Sequence, residues 1–309
     1  MTTNTLTRNA LPECTLGRAG HDLFSSRKDL TVIMVPFERF SPFAKAVDDL
    51  YKTMDVPFNL IVIEGNAPES VRASLEKCQR KHKNITIIYS NHQTSIGAAI
   101  NLAVPHLKTK YAFIIDNDVR IPRGAMSSLL RGALENQYGI VCPQNYVLSR
   151  RANAGNKRDV QSLGIRTCLL ISRDAIQKLG KLDENMTPFT TGIDIRMGAE
   201  ELGISICNET STCIELDSKN FLWPMDGPLH SFQWNEERVF DSLKGLEKKW
   251  GIHLQKQDYV AWLKNKKRDL LESRNPLHFL AGIFSGGNFL NNEKPQLNKL
   301  HESLLAEAA

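Results

Sequence analysis

Four times in succession between residues 30 and 136, a short β-branched apolar run is followed by a longer stretch whose apolar residues recur at helical spacing. The pairs are "LTVIMVP" with "PFAKAVDDLYKTM", "FNLIVIE" with "PESVRASLEKCQRKHK", "NITIIYS" with "IGAAINLAVPHL", and "YAFIIDND" with "PRGAMSSLLRGALEN". A run that is apolar at consecutive positions is a strand covered on both faces, while a stripe such as Phe43, Ala46, Val47, Leu50 and Met54 is one face of a helix. Successive βα units build a parallel sheet, so the chain is expected to be α/β, with a mostly parallel doubly wound sheet and helices on both faces. Such sheets take ligands at the carboxyl ends of their strands, in the crevice where strand order reverses.

Beyond this regular section, "GIVCPQ" (139–144) reads as a fifth strand and "NYVLSRRANAGNKRDVQSLG" as a polar loop. "IRTCLLIS", "ISICNE" and "STCIELD" add three short strands, and "EERVFDSLKGLEKKW" and "LQKQDYVAWLKNKKRDLLES" are amphipathic and helical, with Tyr259, Leu263 and Leu270 on the apolar stripe of the second. The expected organisation is an N-terminal arm (1–28), a main domain (29–233) with a nucleotide-binding half (29–144) and an acceptor half (145–233), and a helical C-terminal extension (234–309).

Composition excludes several classes. A net charge of +5 arises from 39 basic residues scattered among 34 acidic ones, so nucleic acid is not implied. Six cysteines without a CxxC pair support neither a zinc site nor a dense disulfide framework, and a reducing cytoplasm fits them best. The start of the chain lacks the basic and apolar regions of a signal peptide, and no window reaches the ~18 apolar residues of a membrane-spanning helix, so no transmembrane segment is expected. No G-x-G-x-x-G follows a strand and no P-loop motif appears. A nucleotidyltransferase also builds such a sheet, but "PFERFSPF" after the first strand contains no glycine.

The fourth strand ends in Asp116, Asn117 and Asp118. Asp and Asn at a strand end commonly bond the local backbone. Two carboxylates at the mouth of a parallel-sheet crevice repel each other, and a cation is the natural means of offsetting that repulsion.

"TVIMVPFERF", "LIVIEGNAPES", "NHQTSIGAAIN" and "YAFIIDNDV" resemble, in order and spacing, the opening half of the family 2 glycosyltransferases, which have the GT-A fold. The resemblance is clear from about Leu30 to Gln144. It implies a nucleotide-sugar site at Pro36, Phe37, Glu38, Glu64, Asn66, Gly97, Asn101, Asp116 and Asn117, with Asp118 holding Mn²⁺ or Mg²⁺. It further implies a metal-dependent inverting transfer from a nucleoside-diphosphate sugar, UDP-linked by preference, to a hydroxyl acceptor. Glu64 and Gly65 stand where relatives carry two adjacent aspartates. A structural role is open for Glu64 as a solvated strand terminus, for Gly97 as a turn residue without a Cβ, and for Asn101 as a satisfied polar residue on a helix face.

In such a transfer the metal neutralises the departing diphosphate, and a carboxylate takes the acceptor's proton. "LDENMTPFTTGIDIRMGAEELGISI" (182–206) resembles the acceptor region and makes Asp194 the candidate base, although Gly192 stands where the usual base falls; Asp183 and Glu184 are alternatives. Asp194 also suits a helix N-cap. His230, in "WPMDGPLHSFQWNEERV", is the candidate further metal ligand, and the flanking Trp223 and Trp234 either stack on a sugar or close the core. Arg150, Arg151, Lys157 and Arg158, and the run "KNKKR" (264–268), read as solvated charge. The rival reading is a non-catalytic nucleotide-sugar-binding protein.

Overall fold

A computed structural model of the 309-residue chain describes residues 13–14, 29–147, 168–216, 222–252, 254, 260 and 263–268. The arm before Asp29 lies almost wholly outside the described residues, as do Arg150, Arg151, Lys157, Arg158, Tyr259, Leu270 and everything after Arg268.

The four expected βα units are present: β2 (Leu30–Val35), α1 (Phe43–Thr53), β3 (Phe58–Ile63), α2 (Glu69–Lys81), β4 (Ile85–Ile88), α3 (Ile96–Ala103), β5 (Tyr111–Asp116) and α4 (Ala125–Glu135). They follow a two-residue strand, β1 (Glu13–Cys14). Then come β6 (Val119–Arg120), between β5 and α4, β7 (Ile140–Val147), β8 (Leu169–Ser172), α5 (Arg173–Leu179), α6 (Thr191–Glu201), β9 (Ile206–Leu216), α7 (Gly227–Gln233) and α8 (Glu236–Trp250). The strands form one sheet in the order β1-β9-β7-β8-β5-β2-β3-β4, with β6 paired to β9.

Strands β4, β3, β2 and β5 are mutually parallel, so their carboxyl ends lie along one edge. Chain order runs outward from β2 to β3 and β4, then returns to place β5 on the other side of β2. The switch point therefore falls between β2 and β5, where Val35 sits in register with Asp116. Beyond β5 the sheet becomes mixed, because β8 runs antiparallel to both β5 and β7.

Alternation along the buried strands divides the core in two. Leu30, Val32 and Met34 of β2 face one apolar layer with α1, α2 and α4, whereas Ile33 and Val35 face the other. Val239, Leu243, Leu246 and Leu263 pack into that second layer, so the C-terminal helices close over the same core as the sheet.

Four details differ from the sequence reading. Strand β7 continues to Val147, and "ISICNE" and "STCIELD" join as the single strand β9. The register between them jumps at Pro143/Gln144, where proline has no N–H for the ladder and a bulge absorbs the mismatch. Helix α5, in "RDAIQKL", was too short to show a stripe, but Ser172 caps it through Ala175 N. Cys78, Cys142 and Cys168 are free thiols while Cys207 is disulfide-bonded, a covalent link that no close cysteine spacing announced. Among the described residues no helix is long and apolar enough to cross a membrane.

Phe113 on β5 is among the largest fully buried side chains of this core. Replacing it with alanine is expected to cost about 3–5 kcal/mol, measurable as a lower urea midpoint in equilibrium unfolding.

Candidate functional site

The site is built where the loops leaving β2 and β5 meet. Asn117, fully buried, accepts a hydrogen bond from Phe37 N at 3.2 Å through Oδ1 and donates through Nδ2 to Arg39 O at 2.6 Å. One side-chain amide thus fixes the two motifs edge to edge. Its own N–H donates to Val35 O at 3.1 Å, which continues the strand pairing one residue past the sheet.

Asp116 is 0% exposed, and the Cys168 thiol approaches its Oδ2 at 3.9 Å. Asp118 is 9% exposed and lies 3.5 Å from the Arg39 guanidinium. A carboxylate with so little access to water requires a counter-charge or hydrogen-bond donors nearby. Here the counter-charge is Arg39, the residue after Glu38 in "PFERF".

Glu38 accepts from Trp234 Nε1 at 2.9 Å and from Lys266 Nζ. Burial by itself would raise its carboxyl, but the charges of Lys266 and Arg39, joined by His230, outweigh that and hold it at about 2. His230 is 2% exposed, and its Nδ1 has no hydrogen-bond partner among the described residues. Burial lowers this imidazole to about 4; Glu38 opposes the shift, and Lys266 and Arg39 add to it. His230 is therefore neutral at pH 7.

His230 lies on α7, in contrast to the loop expected from its Pro and Gly neighbours. Pro228 occupies the first turn of that helix, where a missing N–H costs nothing. Asp226 immediately precedes it and is fully buried, accepting from Phe40 N at 2.8 Å, Ser41 N at 2.8 Å, Ser41 Oγ at 2.9 Å and Trp223 N at 2.9 Å. It ties this segment to the loop after β2. Burial raises its carboxyl above the usual range while the Ser41 and Trp223 donors oppose that rise.

The second strand end is also internally satisfied. Glu64 is 0% exposed and accepts from Arg72 Nε at 2.7 Å, Asn66 N at 2.9 Å and Ser90 N at 3.4 Å, so it is not a solvated terminus. Asn66 is left-handed at φ 60° and accepts from Arg72 through Oδ1 at 3.2 Å. Gly65, also left-handed at φ 70°, explains the departure from paired aspartates: a Cβ there would lie 2.7 Å from Pro36 Cγ. Pro36 is itself buried against this turn, and Phe37 packs edge to face on Trp234 with ring centroids 6.0 Å apart.

Gly97 is in α3, not in a turn; its missing Cβ admits the Asp183 carbonyl, which would lie 2.7 Å from one. Asn101 donates to Leu182 O at 2.9 Å and to Glu184 Oε1 at 3.1 Å, and accepts from Leu182 N at 3.0 Å. The third motif therefore clamps the loop carrying Asp183 and Glu184. The Asn101 and Lys181 hydrogen bonds hold the Glu184 carboxyl below its ordinary value.

Asp194 is in the first turn of α6, but it is not the cap, which falls at Thr190. Both its oxygens accept from Lys249 Nζ, at 2.7 and 3.0 Å, and Oδ1 accepts from Trp250 Nε1 at 2.8 Å. This clasp joins α6 to the end of α8.

The two expected metal ligands are both set against cations of the chain. Asp118 is engaged by Arg39, and His230 is set among Glu38, Arg39 and Lys266. Among the described residues no three His, Cys, Asp or Glu side chains form a group able to hold an ion.

Sequence reasoning missed Arg39, Asp226 and Lys266. Arg39 stood inside a quoted motif, and Asp226 before Gly-Pro carried a helix-start signal. Lys266 was set aside with a run of surface charge, but it is only 14% exposed. Trp234 closes the core, as one of its two readings held.

Residues 31–184 match the family described as Glycosyl transferase family 2. The fold is similar to that of a mannosyltransferase, PcManGT from Pyrobaculum calidifontis, solved with GDP-Man and Mn²⁺, at 11% identity and a TM-score of 0.51, covering 92% of this chain and 87% of that one. It is also similar to S. aureus TarS 1–349 solved with UDP-GlcNAc, at 12% identity and a TM-score of 0.51, covering 81% and 82%. No curated protein matches the chain. That match spans the four βα units, and the fold is that of the GT-A glycosyltransferases.

Two outcomes are expected. Asp226→Ala leaves the buried Phe40 and Ser41 amides without an acceptor and should cost about 2–4 kcal/mol, read from denaturant unfolding. For His230 the folded pKa lies below the ordinary 6.5, so the unfolded chain binds the proton first as pH falls. Its neutral burial is harmless above about pH 6.5 and is expected to remove up to about 3 kcal/mol of stability between there and about pH 4. His230→Gln should lack this part of the fall in melting temperature.

Proposed function

We propose that the chain transfers a glycosyl group from a nucleoside-diphosphate sugar to a hydroxyl acceptor. The observation that carries this reading is the joint at Asn117. It brings "PFER" and "DND" together at the topological switch point of a parallel sheet, in a chain with a family 2 domain. That is the place where a doubly wound sheet takes a nucleotide. The structural neighbours hold GDP-Man and UDP-GlcNAc, which supports a nucleotide-sugar donor without choosing its base; UDP-sugars are the first donors to test.

In this reading, residues 29–144 hold the nucleotide, 145–233 shape the acceptor side, and the helical part from 234 closes the site through Lys266 and Trp234. A divalent ion in such a transfer would neutralise the leaving diphosphate. The Mn²⁺ of the Pyrobaculum neighbour belongs to that protein. The acceptor's proton is assigned to Asp194, a role that requires its pairing with Lys249 to open when acceptor arrives.

A non-catalytic binder is the second reading, favoured by that closed clasp. Thermal shift with UDP, GDP and their sugars, paired with assays of donor hydrolysis and transfer, separates the two. The proposal expects at least one nucleotide sugar to raise the melting temperature and to be turned over. Asn117→Ala should abolish that shift. Asp194→Asn should keep the shift while lowering turnover by about a hundredfold or more. A shift with no turnover makes the protein a binder, and no shift with any nucleotide removes the site.

A further inference from the structure

Four buried polar atoms beside the carboxyl ends of the parallel strands have no hydrogen-bond partner among the described residues: Gln93 Oε1, Thr94 Oγ1, His230 Nδ1 and Gln233 Oε1. Gln233 is 0% exposed and Thr94 3%. Native folds pair such atoms almost without exception, because an unsatisfied acceptor at this depth carries a penalty that a donor relieves. Four of them gathered in one place therefore point to a ligand.

Their gathering follows from the bonds around them. The Gln233 amide donates through Nε2 to Thr94 O at 3.2 Å, and the Gln93 amide donates through Nε2 to Asn66 O at 3.4 Å. Thr94 Oγ1 lies against the turn after β3, where a Cβ on Gly65 would be 3.3 Å from it. His230 stands three residues before Gln233 on α7 and so shares its face. Trp234, the next residue, donates to Glu38 at 2.9 Å and fixes the end of α7 on the loop after β2. The loop after β2, the turn after β3, the segment before α3 and α7 thus meet at one corner of the strand-end edge.

The two glutamines are held alike. In each the NH₂ end is engaged by a backbone carbonyl, so the hydrogen-bond network sets the amide's orientation and leaves the oxygen as its unpaired end. An amide oxygen can only accept. A diphosphate also offers acceptors and has no donor to give, whereas every hydroxyl of a sugar ring supplies one, and the Thr94 hydroxyl can give or take a bond with the same ring. We propose that Gln93, Thr94 and Gln233 form a subsite for the hydroxyl groups of a sugar ring on the nucleotide, and that they discriminate among ligands by those hydroxyls. Buried groups arranged in this way reject a ligand that lacks the matching hydroxyl, since they would then stay unpaired. The subsite rests on the nucleotide-sugar reading above. The ring is the transferred sugar or the ribose, and the experiment tells the two apart.

Calorimetric titration of the full chain in Mn²⁺ buffer uses UDP, GDP, their 2′-deoxy forms, UDP-glucose, UDP-N-acetylglucosamine and GDP-mannose. Thr94→Val removes only a hydroxyl without a protein partner, so its melting temperature should match or exceed the parent's while binding weakens by about threefold or more. Gln233→Met should weaken binding by about tenfold or more, although it also takes a donor from Thr94 O. A loss confined to nucleotide sugars, with UDP and GDP unchanged within about twofold, assigns the transferred sugar. A loss shared by the diphosphates but absent for their 2′-deoxy forms assigns the ribose. Equal losses for every ligand, or none for any, overturn the proposal and leave the nucleotide-sugar reading standing. Failure of all these ligands to bind the parent removes both.

Discussion

The arrangement of the whole site depends on how one buried amide is satisfied. Asn117 has no access to water, and an unpaired amide in that position would carry a penalty of several kcal/mol. Its oxygen and nitrogen can be satisfied together only if the loop after β2 passes beside it, with Phe37 N and Arg39 O presented at the correct spacing. That condition sets the direction of Glu38 and Arg39. It then brings Arg39 to Asp118, because the two motifs are already in register through Val35 and Asp116.

From this joint the electrostatics follow in order. Carboxylates at a buried strand edge need counter-charge, and the chain supplies it from two distant segments: Arg39 beside the first strand and Lys266 beyond α8. Asp226 works differently, since its partners are mostly backbone N–H groups, as in an oxyanion cradle turned inward. Such a carboxylate organises the polypeptide around itself. The result is a site in which segments from residues 36, 116, 226 and 266 are mutually dependent, although sequence places them far apart.

The βα section was legible because its signals are local. Every residue of β2 and β5 is buried, so the runs read as continuous apolar strands, and the stripe of α1 matches Phe43, Ala46, Val47 and Leu50 in the core. The strand-end positions of the candidate residues were legible for the same reason. Partners were not. Nothing near Asp194 in the sequence indicates Lys249, and nothing near Glu64 distinguishes a ligand contact from the ion pair with Arg72. Residue identity declares that a charge exists, whereas the fold decides what neutralises it.

Glycine positions carry the same lesson in steric form. Gly97 and Gly65 fall in motifs associated with nucleotide contact, and both are explained by protein packing alone: one admits the Asp183 carbonyl, the other the Pro36 ring. A missing side chain at a site is thus evidence for close approach but not for what approaches. For Gly97 the approaching group is the loop bearing Asp183 and Glu184, held again by Asn101 one turn later. The third motif therefore ties α3 to the 182–184 loop through backbone contact. The 182–184 loop is thus bonded to α3, and next to that helix's N-cap at Ser95 the carbonyl of Thr94 accepts from Gln233 on α7. That chain of contacts ends on the helix that carries His230, so a continuous path of bonded residues links the loop to the charged cluster.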